Sequence, residues 1–144
     1  MSKNIKVAEQ YCKENDLNFT PVRRKVLEIL LQKNTAVGAY EILDLLREAG
    51  FKNQPPVAYR ALDFLVQNGF AHKIEQLNSF IRCTHPGKDH SPAFMICRNC
   101  DSVSEEEALT RNFSVSQIAS KAGFTVEKAV IEAQGLCNSC TSLA

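Results

Sequence analysis

Through the first half of the chain, apolar residues recur at the 3.6-residue period of amphipathic helices. Ile5, Ala8, Tyr11 and Cys12 share one side of that period, so residues 3–15 are expected to form a first helix with Cys12 in its buried face. In NFTPVRR, residues 18–24, the Thr20 hydroxyl can cap open amides and Pro21 suits the first helical position. A second helix then runs to about Leu31 on a face of Val22, Val26, Ile29 and Leu30. A third helix, 38–49, buries Ala39, Ile42, Leu43 and Leu46 and stops at Gly50, the residue that best tolerates a left-handed cap. Pro55 and Pro56 stiffen the entrance to a fourth helix, about 57–68, with Ala58, Ala61, Leu62 and Leu65 three or four apart and Gly69 at its end.

The period then changes. FAHKIEQLNSFIRC, residues 70–83, reads as two short strands around a turn at 76–79. Four helices followed by a hairpin is the order of a winged helix-turn-helix domain, whose last helix enters the major groove while the hairpin lies along the backbone. THPGKDHSP, residues 84–92, is rich in turn formers and reads as a hinge linker. Beyond it a strand is expected over 93–97 and a turn with a second strand over 101–106. A helix follows over about 108–122, carrying Leu109, Phe113, Val115, Ile118 and Ala119, and then a strand over 124–134 with Phe124, Val126, Val130 and Ile131 available for burial. The expected fold class is α+β: a winged-helix DNA-binding domain at 1–83, the hinge at 84–92, and a small α/β dimerisation domain at 93–144. A domain of about fifty residues has a small core and open strand edges, which a homodimer would cover.

Composition changes this picture in two places. Six cysteines in 144 residues would suggest disulfides, but the start MSKNIKVAEQ is polar and broken by charge, unlike a signal peptide. The expected compartment is the reducing cytosol, where regularly spaced cysteines more often hold metal. No apolar run approaches the roughly 18 residues of a membrane span. The formal net charge is only +1, but residues 1–83 carry 12 Lys/Arg against 9 Asp/Glu and residues 84–144 carry 5 against 7. A basic front half suits a polyanion such as double-stranded DNA.

Cys97 and Cys100 form one C-x2-C pair and Cys137 and Cys140 another, with 36 residues between them. Each pair can place two thiolates on a tetrahedral ion, and four thiolates match a closed structural zinc site. The competing readings are two disulfides, simple core cysteines, or a redox C-x-x-C pair. The compartment and the repeated spacing weigh against the first two, and a redox site needs one pair at the start of a helix. A second constellation is more scattered. His72 opens the hairpin, Cys83 closes it, His90 lies near the end of the linker, and Glu105 follows the first cysteine pair by five residues. Each alone has an ordinary account as a surface, buried or acidic-run residue. Their placement on both sides of the linker is the notable feature, because an ion held by both domains would fix their relative angle.

The segments NFTPVRR (18–24), PPVAYRALDFL (55–65), GFAHKIE (69–75), FMICRNC (94–100) and GLCNSC (135–140) together resemble the ferric uptake regulator family, and within it the zinc-responsive branch. The resemblance covers essentially the whole chain in the same order. It implies a homodimeric bacterial repressor that binds operator DNA when zinc is plentiful and releases zinc import genes when it is scarce. By this likeness Cys97, Cys100, Cys137 and Cys140 hold structural Zn2+, and His72, Cys83, His90 and Glu105 hold a second, regulatory Zn2+, two ions per subunit. Two imidazoles, a thiolate and a carboxylate make a tetrahedral, borderline-soft shell suited to zinc, and the thiolate tells against iron. The histidine-rich run of iron and peroxide sensors is missing before Cys97, and His85 is not expected to be a ligand.

The resemblance also implies that Tyr59 and Arg60 face DNA, the arginine reaching a purine edge. Arg23, Arg24, Lys25, Lys52 and Lys73 are candidate phosphate contacts. Where relatives often read TVYR, this chain reads Val57-Ala58-Tyr59-Arg60, so Val57 is expected to leave the helix start without a hydroxyl to cap it or touch phosphate. An enzyme is not expected, since four protein ligands leave no open position for water and the chain offers no separate base. The alternatives kept are an iron, manganese, nickel or peroxide-responsive regulator of the same family, and a redox-responsive DNA-binding protein with structural zinc only.

Overall fold

The computed structural model describes residues 2–33, 35–52, 54–84, 86, 92–107, 114–127 and 129–142. The chain divides into two compact units, Met1–Lys88 and Asp89–Ala144.

In the first unit α1 spans Ser2–Glu14, α2 Pro21–Gln32, α3 Ala39–Glu48 and α4 Pro55–Gln67. Local chemistry sets the ends. Thr20 Oγ1 accepts from the Arg23 amide at 3.3 Å and Pro21 opens α2. Gly50 and Gly69 take φ of 95° and 80° after α3 and α4, and the Phe51 and Phe70 amides then reach back to the Leu46 and Leu65 carbonyls at 2.9 and 2.8 Å. These are Schellman closures, which favour glycine because no Cβ crowds the left-handed backbone. The start of α4 corrects the expectation for Val57. Both prolines lie inside the first turn and Gln54 is the N-cap, with no side-chain cap hydrogen bond, so Val57 is already the third helical residue and no hydroxyl is missing from the cap.

The wing consists of β2, Ala71–Ile74, a 3₁₀ turn at Glu75–Leu77, and β3, Ser79–Arg82. Asn78 makes the corner with φ 46°, a conformation its short amide side chain tolerates. A two-residue strand β1, Val37–Gly38, pairs with β3 in antiparallel fashion, Val37 opposite Phe80, and makes a three-stranded sheet in the order β1-β3-β2. Two residues between helices carry no periodic signal, which is why this strand escapes a sequence reading. The core joins Val26, Leu27, Ile29 and Leu30 of α2, Ile42, Leu43 and Leu46 of α3, Ala58, Ala61, Leu62 and Leu65 of α4, and Phe70, Ala71 and Phe80 of the wing. Tyr11 meets Phe70 edge-on at 5.3 Å, and Cys12 is buried as expected. Arg82 Nη1 donates to the Lys33 carbonyl at the C-cap of α2 at 2.6 Å, which pins the wing to that helix end.

In the second unit β4, Pro92–Cys97, is the middle strand of a sheet ordered β5-β4-β6. It is antiparallel to β5, Val103–Glu107, and parallel to β6, Ile131–Gly135. Helices α5, Ser114–Lys121, and α6, Asn138–Thr141, complete the unit. The strand expected over 124–134 is Ile131–Gly135 among the described residues, because pairing with β4 begins at Ala93 opposite Ile131. Phe124 is therefore 67% exposed rather than buried, with Val126 and Val130 also exposed. In α5, Ala119 is buried and Ile118 is exposed; Leu109 and Phe113, expected on the same helix, lie outside the described residues. Among the described residues no helix is long and apolar enough to cross a membrane.

Candidate metal centres and nucleic-acid interface

The end of β4 and the start of α6 build one cluster in the second unit. Cys97 is the last residue of β4, and a tight turn follows in which the Asp101 amide donates to the Cys97 carbonyl and the Cys97 amide to the Ser102 carbonyl, both at 2.9 Å. Asp101 takes φ 60° to complete this turn and returns the chain into β5. Cys137 caps α6, and its carbonyl accepts from the Thr141 amide at 2.8 Å. The Arg98 amide donates to the Gly135 carbonyl at 2.9 Å, which laces the two cysteine turns together where β4 and β6 end side by side.

The sulfurs of Cys97, Cys100, Cys137 and Cys140 all lie within 4.8 Å of one another, and none of the four is in a disulfide. Four sulfurs on a tetrahedral zinc at about 2.3 Å stand about 3.8 Å apart. Cys100 Sγ and Cys137 Sγ are 3.8 Å apart. Asn99 Nδ2 donates to Cys140 Sγ at 3.3 Å, a contact the spacing of cysteines does not announce.

The thiols differ in acidity. Backbone hydrogen bonds at Cys137 and Cys100 hold the Cys97 thiol down at about 6. Cys137 is lowered by its backbone hydrogen bond with Cys140. The Asn99 amide favours the Cys140 thiolate, but hydrogen bonding with Cys137, burial and the other two cysteines outweigh it and push that thiol up to about 11. Such crowded sulfurs resist full ionisation together, and a divalent cation relieves that conflict by displacing the remaining protons. The donor set therefore fits zinc.

The residues of the second constellation are divided between the two units. On the wing, His72 pairs with Ile81 across the ladder, and Cys83, two residues beyond Ile81, extends β3 through its amide to the Phe70 carbonyl at 3.0 Å. Strand parity puts His72 and Cys83 on one face, away from Ala71 and Phe80, which join the helical core. A His72 ring nitrogen and Cys83 Sγ lie within 4.8 Å of each other. In the second unit Glu105 pairs with Phe94, so it stands half-buried on the sheet face that carries Phe94, Ile96 and Val103. It offers a carboxylate oxygen on a face it shares with Glu132 of β6, which pairs with Phe94 from the other side. His90 and His85 lie outside the described residues.

On the outer side of α4, Pro56, Tyr59, Arg60, Asp63 and Gln67 are exposed at helical spacing, Tyr59 to 41%. Arg60 Nε makes only a 3.4 Å contact with the Pro56 carbonyl. Lys52, just before α4, is exposed. The other basic candidates have partners. Arg24 pairs with Glu9 and, at 3.4 Å, with Glu28, Lys25 with Glu28 at 3.5 Å, and Lys73 with Glu75 at 3.7 Å. Arg23 is engaged differently, stacked on Phe64 with its guanidinium carbon 3.9 Å from the ring centroid.

The Ferric uptake regulator family matches the chain over residues 14–134. The zinc uptake regulation protein of Escherichia coli (strain K12) is 41% identical over 137 residues, which cover 94% of this chain and 80% of that protein. Among solved structures, a zinc uptake regulator complexed with zinc and DNA matches with a TM-score of 0.90 at 39% identity, covering 99% of this chain and 95% of that one. A crystal structure of holo XcZur matches with a TM-score of 0.85 at 38% identity and 99% coverage of both chains.

Proposed function

The chain belongs to the ferric uptake regulator family, and on that premise we propose that it is a zinc-responsive repressor of zinc uptake genes, acting as a cytoplasmic homodimer on operator DNA and not as an enzyme. The observation that carries this reading is the TM-score of 0.90 against a zinc uptake regulator complexed with zinc and DNA.

Two zinc ions serve each subunit. Cys97, Cys100, Cys137 and Cys140 hold one in a closed site, supported by their mutual sulfur distances within 4.8 Å. Bound there, the ion supplies a cross-link between two chain segments and leaves no position open for catalysis. His72, Cys83, His90 and Glu105 take the second. The wing pair of imidazole and thiol supports this assignment, and Glu105 offers a carboxylate oxygen on β5. The four ligands belong to different parts of the chain, so occupancy favours those arrangements in which all four can meet and shifts the population toward dimers that fit DNA.

Tyr59 and Arg60 present the base-reading surface of α4, and Lys52, Arg24, Lys25 and Lys73 are placed for phosphate. The pairs of Arg24 with Glu9 and Lys73 with Glu75 are exposed and that of Lys25 with Glu28 is half-buried; surface pairs of this kind are worth about 1 kcal/mol or less, so a phosphate can displace them. Two such helices in a dimer read half-sites roughly 34–36 Å apart, one turn of duplex. Met95, Ile118, Phe124, Val126 and Val130 leave the small second unit with much apolar surface in water, which supports burial against a second copy.

The test is operator binding at fixed salt with the four-cysteine site filled, as free zinc is buffered from scarcity to excess, with Cys83→Ser alongside. A steep gain in the parent that vanishes in the variant is expected. Binding that ignores zinc in both proteins would overturn the zinc response.

A further inference from the structure

Arg23 stands apart from the other basic side chains of the first unit. Its amide is tied to Thr20 Oγ1, and its Nη1 donates to the Asn18 carbonyl at 2.6 Å in the loop before α2. Its guanidinium carbon lies over the ring of Phe64 in α4, 3.9 Å from the centroid. Phe64 follows Arg60 by four residues, so the ring stands one turn along the same side of the helix, and it also packs against the helical core. From the first turn of α2 its side chain therefore touches two other elements, the loop at Asn18 and α4 beside its exposed face.

We propose that Arg23 is a positioning residue for α4, clamping it through Phe64 at the rotation in which Tyr59 and Arg60 are presented, and that it is not a phosphate contact. This rests on the DNA-binding reading of α4. To reach a phosphate the guanidinium would have to leave both the aromatic face and the Asn18 carbonyl, whereas Arg24, Lys25 and Lys73 would give up only carboxylate partners at or near the surface. The clamp needs arginine in particular. A lysine keeps the charge but has neither the planar face for stacking nor the fork that holds a carbonyl at the same time. The charge also acts inward, drawing the buried Cys12 thiol down against the larger effect of burial.

The experiment uses the zinc-loaded full chain and the variants Arg23→Lys, Phe64→Leu, their double, and Arg23→Ala. Urea unfolding of the first three gives a double-mutant cycle, and operator affinity is measured over a range of salt at a temperature where every variant is folded. The clamp predicts that the two single changes are coupled in unfolding, the double being little worse than the worse single. It predicts that each single change weakens operator binding about three- to tenfold. It also predicts that the slope of log affinity against log salt stays as in the parent in every variant.

A phosphate contact predicts otherwise. Arg23→Lys would keep affinity, Phe64→Leu would leave it alone, and Arg23→Ala would flatten the slope by about 0.9 per protomer. That result, additive unfolding effects, or unchanged affinity in both single variants overturns the proposal. Should the parent itself fail to bind operator at any zinc level, the DNA-binding reading falls with the positioning role built on it, while the unfolding cycle still reports whether Arg23 and Phe64 are coupled.

Discussion

Cys100 Sγ and Cys137 Sγ stand 3.8 Å apart although 37 positions separate them in the chain. No covalent link holds them there. The parallel pairing of β4 with β6 ends both strands at the same level, Cys97 beside Gly135, and the Arg98 amide to Gly135 carbonyl bond joins the turns that follow. The thiols are thus gathered by strand register, and the core of this unit is small.

Metal should decide whether that unit stays folded. Cys137→Ser, or chelation of the parent, is expected to unfold the Asp89–Ala144 unit while Met1–Lys88 remains folded, because a structural zinc supplies apparent binding energy of about 10–16 kcal/mol that a small core does not replace. Amide spectra and far-ultraviolet circular dichroism read the two units. Native dispersion for the β4, β5 and β6 amides without metal would show that the sheet stands by its own packing.

Alkaline pH should weaken the first unit through Cys12. Burial pushes this thiol above its ordinary 9.0, against the smaller opposing pull of Arg23. An acid with a raised folded pKa keeps its proton in the fold at a pH where the unfolded chain has lost it. The unfolded state then binds fewer protons than the native one, so the stability from Cys12 is intact below about pH 9 and declines as pH rises above it. Cys12→Ala is expected to cost about 1 kcal/mol in packing at neutral pH and to decline less steeply above pH 9. Equal alkaline slopes in urea titrations of the two proteins would rule the buried thiol out as the cause.

Exposed arginine and lysine near α4 should fail in different ways. Arg60→Ala is expected to weaken operator binding by about 1–3 kcal/mol and to relax discrimination at one base of each half-site. Lys52→Ala is expected to weaken all sequences alike and to reduce the salt slope by about 0.9 per protomer. A panel of operators with single-base changes separates them, and a uniform loss for Arg60→Ala would move that residue to the phosphate class.

The loop after α1 offers a gain. Asp16 takes φ 54° there, and the Leu17 amide closes on the Cys12 carbonyl at 2.8 Å, the closure that Gly50 and Gly69 make elsewhere. Relief of the left-handed strain exceeds the extra freedom that glycine gives the unfolded chain, so Asp16→Gly should raise stability by about 0.5 kcal/mol. A lower thermal midpoint would mean that the aspartate's local contacts matter more than the strain.

The four helices of the first unit were legible because each buries one periodic stripe, and α2, α3 and α4 carry their own start or stop residues. Thr20 with Pro21, and Gly50 and Gly69, mark boundaries through bonds that span only a few residues. The likeness to the ferric uptake regulator family was legible for a related reason, since its motifs are short runs of adjacent residues. The strand expected over 124–134 was too long because apolar content alone does not say where a neighbouring strand begins. Two successive prolines hide where α4 starts, so the sequence does not show that Val57 falls past the cap.

Side-chain engagement was less legible still. The sequence presents Arg23, Arg24 and Lys25 as three adjacent charges, yet one stacks on Phe64 and two pair with carboxylates, a distinction set by which way each points from α2. Likewise Asn99 carries no metal-ligand signature, and only the fold brings its amide to Cys140.

What the sequence by itself determined was therefore whatever depends on near neighbours: helix faces, caps, the turns around paired cysteines and the chemical kind of ligand on offer. The tertiary structure alone decided what depends on distant ones: the register that gathers four sulfurs, the short β1 that completes the wing sheet, and the partners of each charge. The division follows from the range of the forces involved. Periodicity and capping act within a turn or two of chain, whereas strand pairing and side-chain contact join residues whose separation along the chain says nothing of their distance in space.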